Sequence, residues 1–259
     1  MDVVGLSGPF FDPPYDSPIE ELFAINAIKY FAEDARLEKQ VEVPTFAGTF
    51  RLDLVAERAG RRLAVECDGR DFHDEYRDEW RDALILGNEV VDVLYRLRGS
   101  DLTYHIEDLL FLMSQADPDF FGDRGKQNLT RLASDEARAF AGDDLSPGRI
   151  VPYRPRTDEP HRGIRYIYIR RWPQLVPPSR RALWWDWWRH ARRYRQHCQN
   201  VDEMMAAHAA WLNDLEAGAI TGDEACEQCG MKMERWATKA VWHGKIVCRG
   251  CHLQLSDGA

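Results

Sequence analysis

Arg51-Leu52-Asp53-Leu54-Val55 and Leu63-Ala64-Val65-Glu66-Cys67-Asp68-Gly69 are short apolar runs that each carry acids, and Glu57-Arg58-Ala59-Gly60-Arg61-Arg62 lies between them. Apolar runs of this length on either side of a polar, glycine-containing stretch predict a β-hairpin. One strand carries Asp53, the other Glu66 and Asp68. Side chains two apart on a strand project to one face, so Glu66 and Asp68 are expected together. Converging carboxylates repel unless something neutralises them. A divalent cation does so, and oxygen ligands suit magnesium or manganese. Acids are mostly exposed, and Asp68-Gly69 also reads as a simple turn pair. The apolar neighbours of Glu66 set it apart from such surface acids.

Moving outward, Ser17-Pro18-Ile19-Glu20 is a capping-box start with proline at the first helical position. Ile19, Leu22, Phe23, Ala27 and Tyr30 continue it as an apolar stripe that fades near Glu33-Asp34. Strands are expected over about 40–44, 48–56 and 62–68. A helix is expected over 74–87, with Gly87 at its end, then a strand from Val90 to Leu97 and a helix from Ser100 to about Gln115. The order α-β-β-β-α-β-α predicts an α/β fold with a mixed sheet and helices packed on it.

Asp53, twelve residues, then Glu66-Cys67-Asp68 resembles the PD-(D/E)XK nuclease superfamily in its E-x-D form, and in particular the branch containing very short patch repair endonucleases. Ser17-Pro18-Ile19-Glu20, Phe72-His73, Asp78 with Arg81-Asp82, and Arg96 in Val91-Asp92-Val93-Leu94-Tyr95-Arg96 add to the likeness, which covers about residues 15–115. It implies a restriction-endonuclease-like core that hydrolyses phosphodiester bonds with magnesium or manganese. In that reading Asp53 is the central metal ligand, and Glu66 is a second ligand or orients the attacking water. Asp68 takes the third motif position, and the Cys67 carbonyl adds an oxygen. Glu20 either helps hold the metal or only completes the capping box with Ser17. His73, titrating near neutrality, is either an acid–base group or an ordinary surface histidine. Arg96 is expected to contact phosphate. The sequence departs from the commonest form in having Asp68 where a lysine usually stands.

The chain has 259 residues and a formal charge of −9, which hides an asymmetry. Arg149 to Asn200 holds thirteen arginines, no lysine and three acids, a formal +10. Such asymmetry suits a surface facing nucleic acid. Arg180, Arg181, Arg189, Arg192 and Arg193 crowd one predicted helix and are candidate phosphate contacts. An acidic protein partner would call for the same charge. Trp184, Trp187 and Trp188 have the i, i+3, i+4 spacing of core residues. A helix is also expected over 128–141, a strand from Ile164 to Arg171, and a helix of some 35 residues ending near Glu216.

Cys226-x-x-Cys229, eighteen residues, then Cys248-x-x-Cys251 is a four-cysteine zinc signature. Four thiolates close the coordination shell, so this zinc is expected to be structural. The remaining cysteines, Cys67 and Cys198, suit a reducing cytoplasm. The N-terminus lacks signal-peptide features, and no apolar run approaches the roughly 20 residues of a membrane span.

Three units are expected: a nuclease-like domain over 1–116, a basic, mostly helical extension over 117–222, and a zinc finger over 223–259. The expected function is metal-dependent endonuclease action, on DNA by family analogy, in restriction, repair or phage defence. A homodimer or a defence or repair complex is compatible with it. The alternatives are a catalytically inactive nucleic-acid-binding module and a protein-interaction subunit.

Overall fold

The computed structural model describes residues 13–69, 75–141, 150–151, 167–171, 191, 194–216, 239–242 and 245–248. Helix α1 (Pro18–Tyr30) opens at Ser17, whose Oγ accepts the Glu20 N–H at 3.3 Å, the first half of the expected capping box, while the Glu20 carboxylate bonds the Ser17 hydroxyl and Gln40. Three antiparallel strands follow, β1 (Arg36–Thr45), β2 (Gly48–Arg58) and β3 (Arg61–Asp68). The β2–β3 turn is Ala59-Gly60, both with positive φ, as a two-residue type I′ turn requires. Helix α2 (Glu75–Gly87) carries the chain across to β4 (Val93–Arg98), which pairs with β3 in parallel. The mixed α/β class and the predicted order of these elements are both present.

Three helix readings need correction, two of them before residue 142. The stretch from Ser100 to Gln115 is two helices, α3 (Gly99–Tyr104) and α4 (Ile106–Ala116), broken at His105. The helix expected over 128–141 is likewise α5 (Asp123–Leu132) and α6 (Asp135–Ala141). Ser134 separates them: its Oγ accepts the Ala137 N–H at 3.1 Å, and the Asp108 carboxylate accepts the Ser134 N–H at 2.7 Å. A side chain that satisfies the open amides of a helix start makes a new start favourable there.

The sheet does not stop at β4. The pair β5 (Ile150–Val151) and β6 (Ile167–Arg171) extends it, giving the order β1-β2-β3-β4-β6-β5. Strand β6 lies antiparallel to β4, with Tyr95 opposite Ile169. Helix α7 (Val201–Glu216) starts after a break at 195–200, where Asn200 Oδ1 accepts the Glu203 N–H at 2.9 Å. The long helix expected to end near Glu216 is therefore interrupted. Ala191, Tyr194, Val201 and Met204 pack with Trp80 and Leu84 of α2. The expected division at residue 116 thus cuts through one sheet and one core cluster.

The sheet buries both faces. Leu54, Val65, Tyr95 and Ile169 pack against Phe23, Ala27, Leu109 and Leu112 of α1 and α4. On the other face, Val55, Ala64 and Leu94 meet Ile85 and Leu86 of α2. The hairpin of β7 (Lys239–Trp242) and β8 (Lys245–Cys248) forms a separate two-stranded sheet.

Candidate active site

The site forms where the β2–β3 ladder ends. Pairing runs from Arg58–Arg61 to Leu54–Val65. One residue further the strands part, and the Cys67 N–H donates to Asp53 Oδ2 at 2.8 Å. Leu54 belongs to the core under α1 and α4, whereas Leu52 belongs to the core under α2. Strict alternation would put these two on one face, so β2 turns over at Asp53. Across the ladder, Lys39 pairs with Leu54 and Val41 with Leu52, and Gln40 between them has φ +53°. Asp53 and Gln40 therefore mark one shared irregularity.

Glu20 reaches the same place from α1. It is buried; Ser17 Oγ donates to its Oε1 at 2.7 Å and Gln40 Nε2 to its Oε2 at 2.9 Å. Cap and site roles are thus compatible in one residue. Glu66, also buried, is held by Arg81, whose Nη1 lies 2.8 Å from Oε2 and Nη2 3.2 Å from Oε1. Arg81 Nη2 also donates to the Arg51 carbonyl at 2.7 Å. Burial and then the neighbouring Glu66 charge push the Asp53 carboxyl up to about 7, with Glu20 adding to the rise. The Cys67 amide and Arg81 only partly oppose this. The Cys67 thiol is pushed far up by burial and then by Asp53, Glu20, Glu66 and Asp68, which keeps it protonated and unreactive.

Asp68 faces a different partner. Arg96 Nη1 donates to its Oδ1 at 2.9 Å, and Arg96 Nε and Nη2 each reach an Asp82 oxygen at 2.8 Å. Asp78 Oδ1 is 3.1 Å from Arg96 Nη2. Arg170 on β6 adds a second guanidinium, bonded to Asp82 and, at 2.8 Å, to Glu79. Burial alone would raise the Asp82 carboxyl, but Arg96 and Arg170 outweigh it and hold it below the usual range. The phosphate contact expected of Arg96 does not fit this placement, because the residue is 3% exposed and its nitrogens serve internal carboxylates.

Glu20, Asp53, Glu66 and Arg81 thus form one cluster, with Asp68 alongside in the arginine network. Among the described residues no group of three or more His, Cys, Asp and Glu side chains is arranged to hold a metal ion. His73, Arg180, Arg181, Arg189, Arg192 and Arg193 lie outside the described residues, as do Cys226, Cys229 and Cys251. Cys248 ends β8. Gln40 and Arg170 were not legible as site neighbours. A lone polar residue on a strand carries no pattern, and Arg170 reads as one more charge in a basic stretch.

No family model and no curated protein matches the chain. A crystallised protein of unknown function, AF1548, is 15% identical over 31% of this chain and 46% of that one, with a TM-score of 0.25. The match spans less than half of that protein's length, and so slight a likeness carries no argument. Among the described residues no helix is long and apolar enough to cross a membrane.

Proposed function

We propose that this chain is a metal-dependent phosphodiesterase, an endonuclease acting on DNA, with its centre at Asp53. The observation that carries the reading is the buried place of Asp53 where β2 parts from β3, with Glu66 and Glu20 near it: burial first, then the Glu66 charge and that of Glu20, push its carboxyl up to about 7. A site that stores like charge in this way is suited to a cation. The donors are oxygens, which fits magnesium or manganese in charge and softness. Asp53 and Glu20 would hold the ion. Glu66, fixed through both oxygens by Arg81, is better placed to orient a water than to move. When bound, such an ion helps form the attacking hydroxide and steadies charge on the phosphate. The chain's own contribution is to bring these oxygens together from three elements, Asp53 on β2, Glu66 on β3 and Glu20 in the first turn of α1. The DNA preference, the structural zinc at Cys226, Cys229, Cys248 and Cys251, and the arginine contacts rest on the sequence.

A second reading has one specific observation in its favour. Arg81 neutralises Glu66 and Arg96 neutralises Asp68, as acids kept for stability would be. On that reading the protein binds nucleic acid without cutting it. Incubating it with plasmid, single-stranded DNA and RNA in magnesium, manganese or EDTA separates the two. Cleavage lost in EDTA supports the nuclease; salt-sensitive binding with no cleavage supports the module.

A further inference from the structure

Gln40 combines two unfavourable features. Its backbone is left-handed, φ +53°, which a residue with a side chain adopts only where its surroundings demand it. Its Oε1 is buried with no hydrogen-bond partner among the described residues. Turning the amide over would not relieve this, because Nε2 already donates to Glu20 Oε2 and an amide oxygen there would face a carboxylate. Buried polar atoms are nearly always satisfied, and the exceptions ask for a missing partner. The unsatisfied oxygen belongs to the residue that stands across from Asp53 and bonds Glu20.

We infer that Gln40 Oε1 is a neutral oxygen ligand to the divalent cation held by Asp53, an inference that rests on the metal-dependent reading above. A neutral donor suits the position. Glu20, Asp53 and Glu66 already supply carboxylates here, and a further one would add repulsion, whereas amide oxygens bind hard cations without added charge. The left-handed backbone is what turns the Gln40 side chain off the regular alternation of β1 and toward Glu20.

The test is manganese binding to the full chain, read from the electron paramagnetic resonance of free ion, with thermal unfolding in EDTA alongside. Gln40→Gly removes the oxygen and, with it, the Nε2 bond to Glu20, while relieving the left-handed backbone, so it should weaken manganese binding about tenfold with the protein still folded in EDTA. Gln40→Met, of similar length but without the oxygen, should show the same weakening. Gln40→Glu, which keeps an oxygen, should bind better than either. Asp53→Ala should lose this ion. Wild-type affinity in Gln40→Gly and Gln40→Met, with binding lost in Asp53→Ala, overturns the inference and leaves the nuclease reading intact. Unchanged binding in Asp53→Ala overturns both.

Discussion

Asp53 holds the account together because its environment is costly. An unperturbed aspartate ionises at 3.8, and here the value is about 7. Between these values the folded chain keeps a proton that the unfolded chain has released. Without metal, stability therefore falls as pH rises from about 4 through 7, then levels off. Asp53→Asn removes this contribution. Thermal unfolding in EDTA should show the wild type losing about 3 °C more than Asp53→Asn between pH 5 and pH 8. Equal losses in the two proteins would show that Asp53 is not held in this state. Part of this was legible at the residue scale: Asp53, Glu66 and Glu20 were picked out by strand pattern, cap and resemblance, and Glu66 and Glu20 lie near enough to Asp53 to add to the rise of its carboxyl. The partners were not. Which guanidinium neutralises which acid depends on contacts such as Arg81–Glu66 and Arg96–Asp68, and sequence separation hides these.

At the scale of elements, α2 is fastened to the sheet by ions as well as by Ile85 and Leu86. Asp82 is fully buried and takes both Arg96 and Arg170, so three elements meet at one carboxylate. Removing it takes the shared carboxylate from two buried guanidiniums and leaves Arg96 with Asp68 and Asp78 and Arg170 with Glu79. Asp82→Ala should cost about 3–5 kcal/mol in chemical denaturation, and a loss under about 1 kcal/mol would contradict the network's role. The helix–strand order was readable because apolar runs and helical stripes are bounded by polar and glycine-containing turns, although β1 and β2 break their alternation at Gln40 and Asp53. The breaks at His105, Ser134 and residues 195–200 were not. Apolar spacing continues across them, and single capping side chains such as Ser134 and Asn200 decide where one helix ends and the next begins.

Across the whole molecule, the segment after residue 116 completes the fold. Strand β6 joins the sheet, and Arg170 and Arg171 turn inward, the latter onto Asp117 at 2.5 Å. Part of what the sequence presents as a basic surface is therefore internal. Trp80 is the seat for the later helical segment, with the His208 ring 5.4 Å away and Tyr194 beside it. Trp80→Ala should destabilise the protein by about 3–5 kcal/mol. Hydrogen exchange should then report early opening of α7 before the sheet; simultaneous opening of both would mean that Trp80 does not tie them together. For the four cysteines the expectation is one zinc per chain by elemental analysis, lost in Cys226→Ser with Cys229→Ser. Zinc retained in that double variant would remove the finger from the account.

Plasmid cleavage decides whether Asp53 lies at a cation-dependent phosphodiesterase centre. Wild-type protein and Asp53→Ala, matched by circular dichroism, would be compared in manganese, in magnesium and in EDTA. The wild type should cleave with metal and not in EDTA, and the folded variant should not cleave under any condition. Cleavage by Asp53→Ala at the wild-type rate would contradict that placement of Asp53.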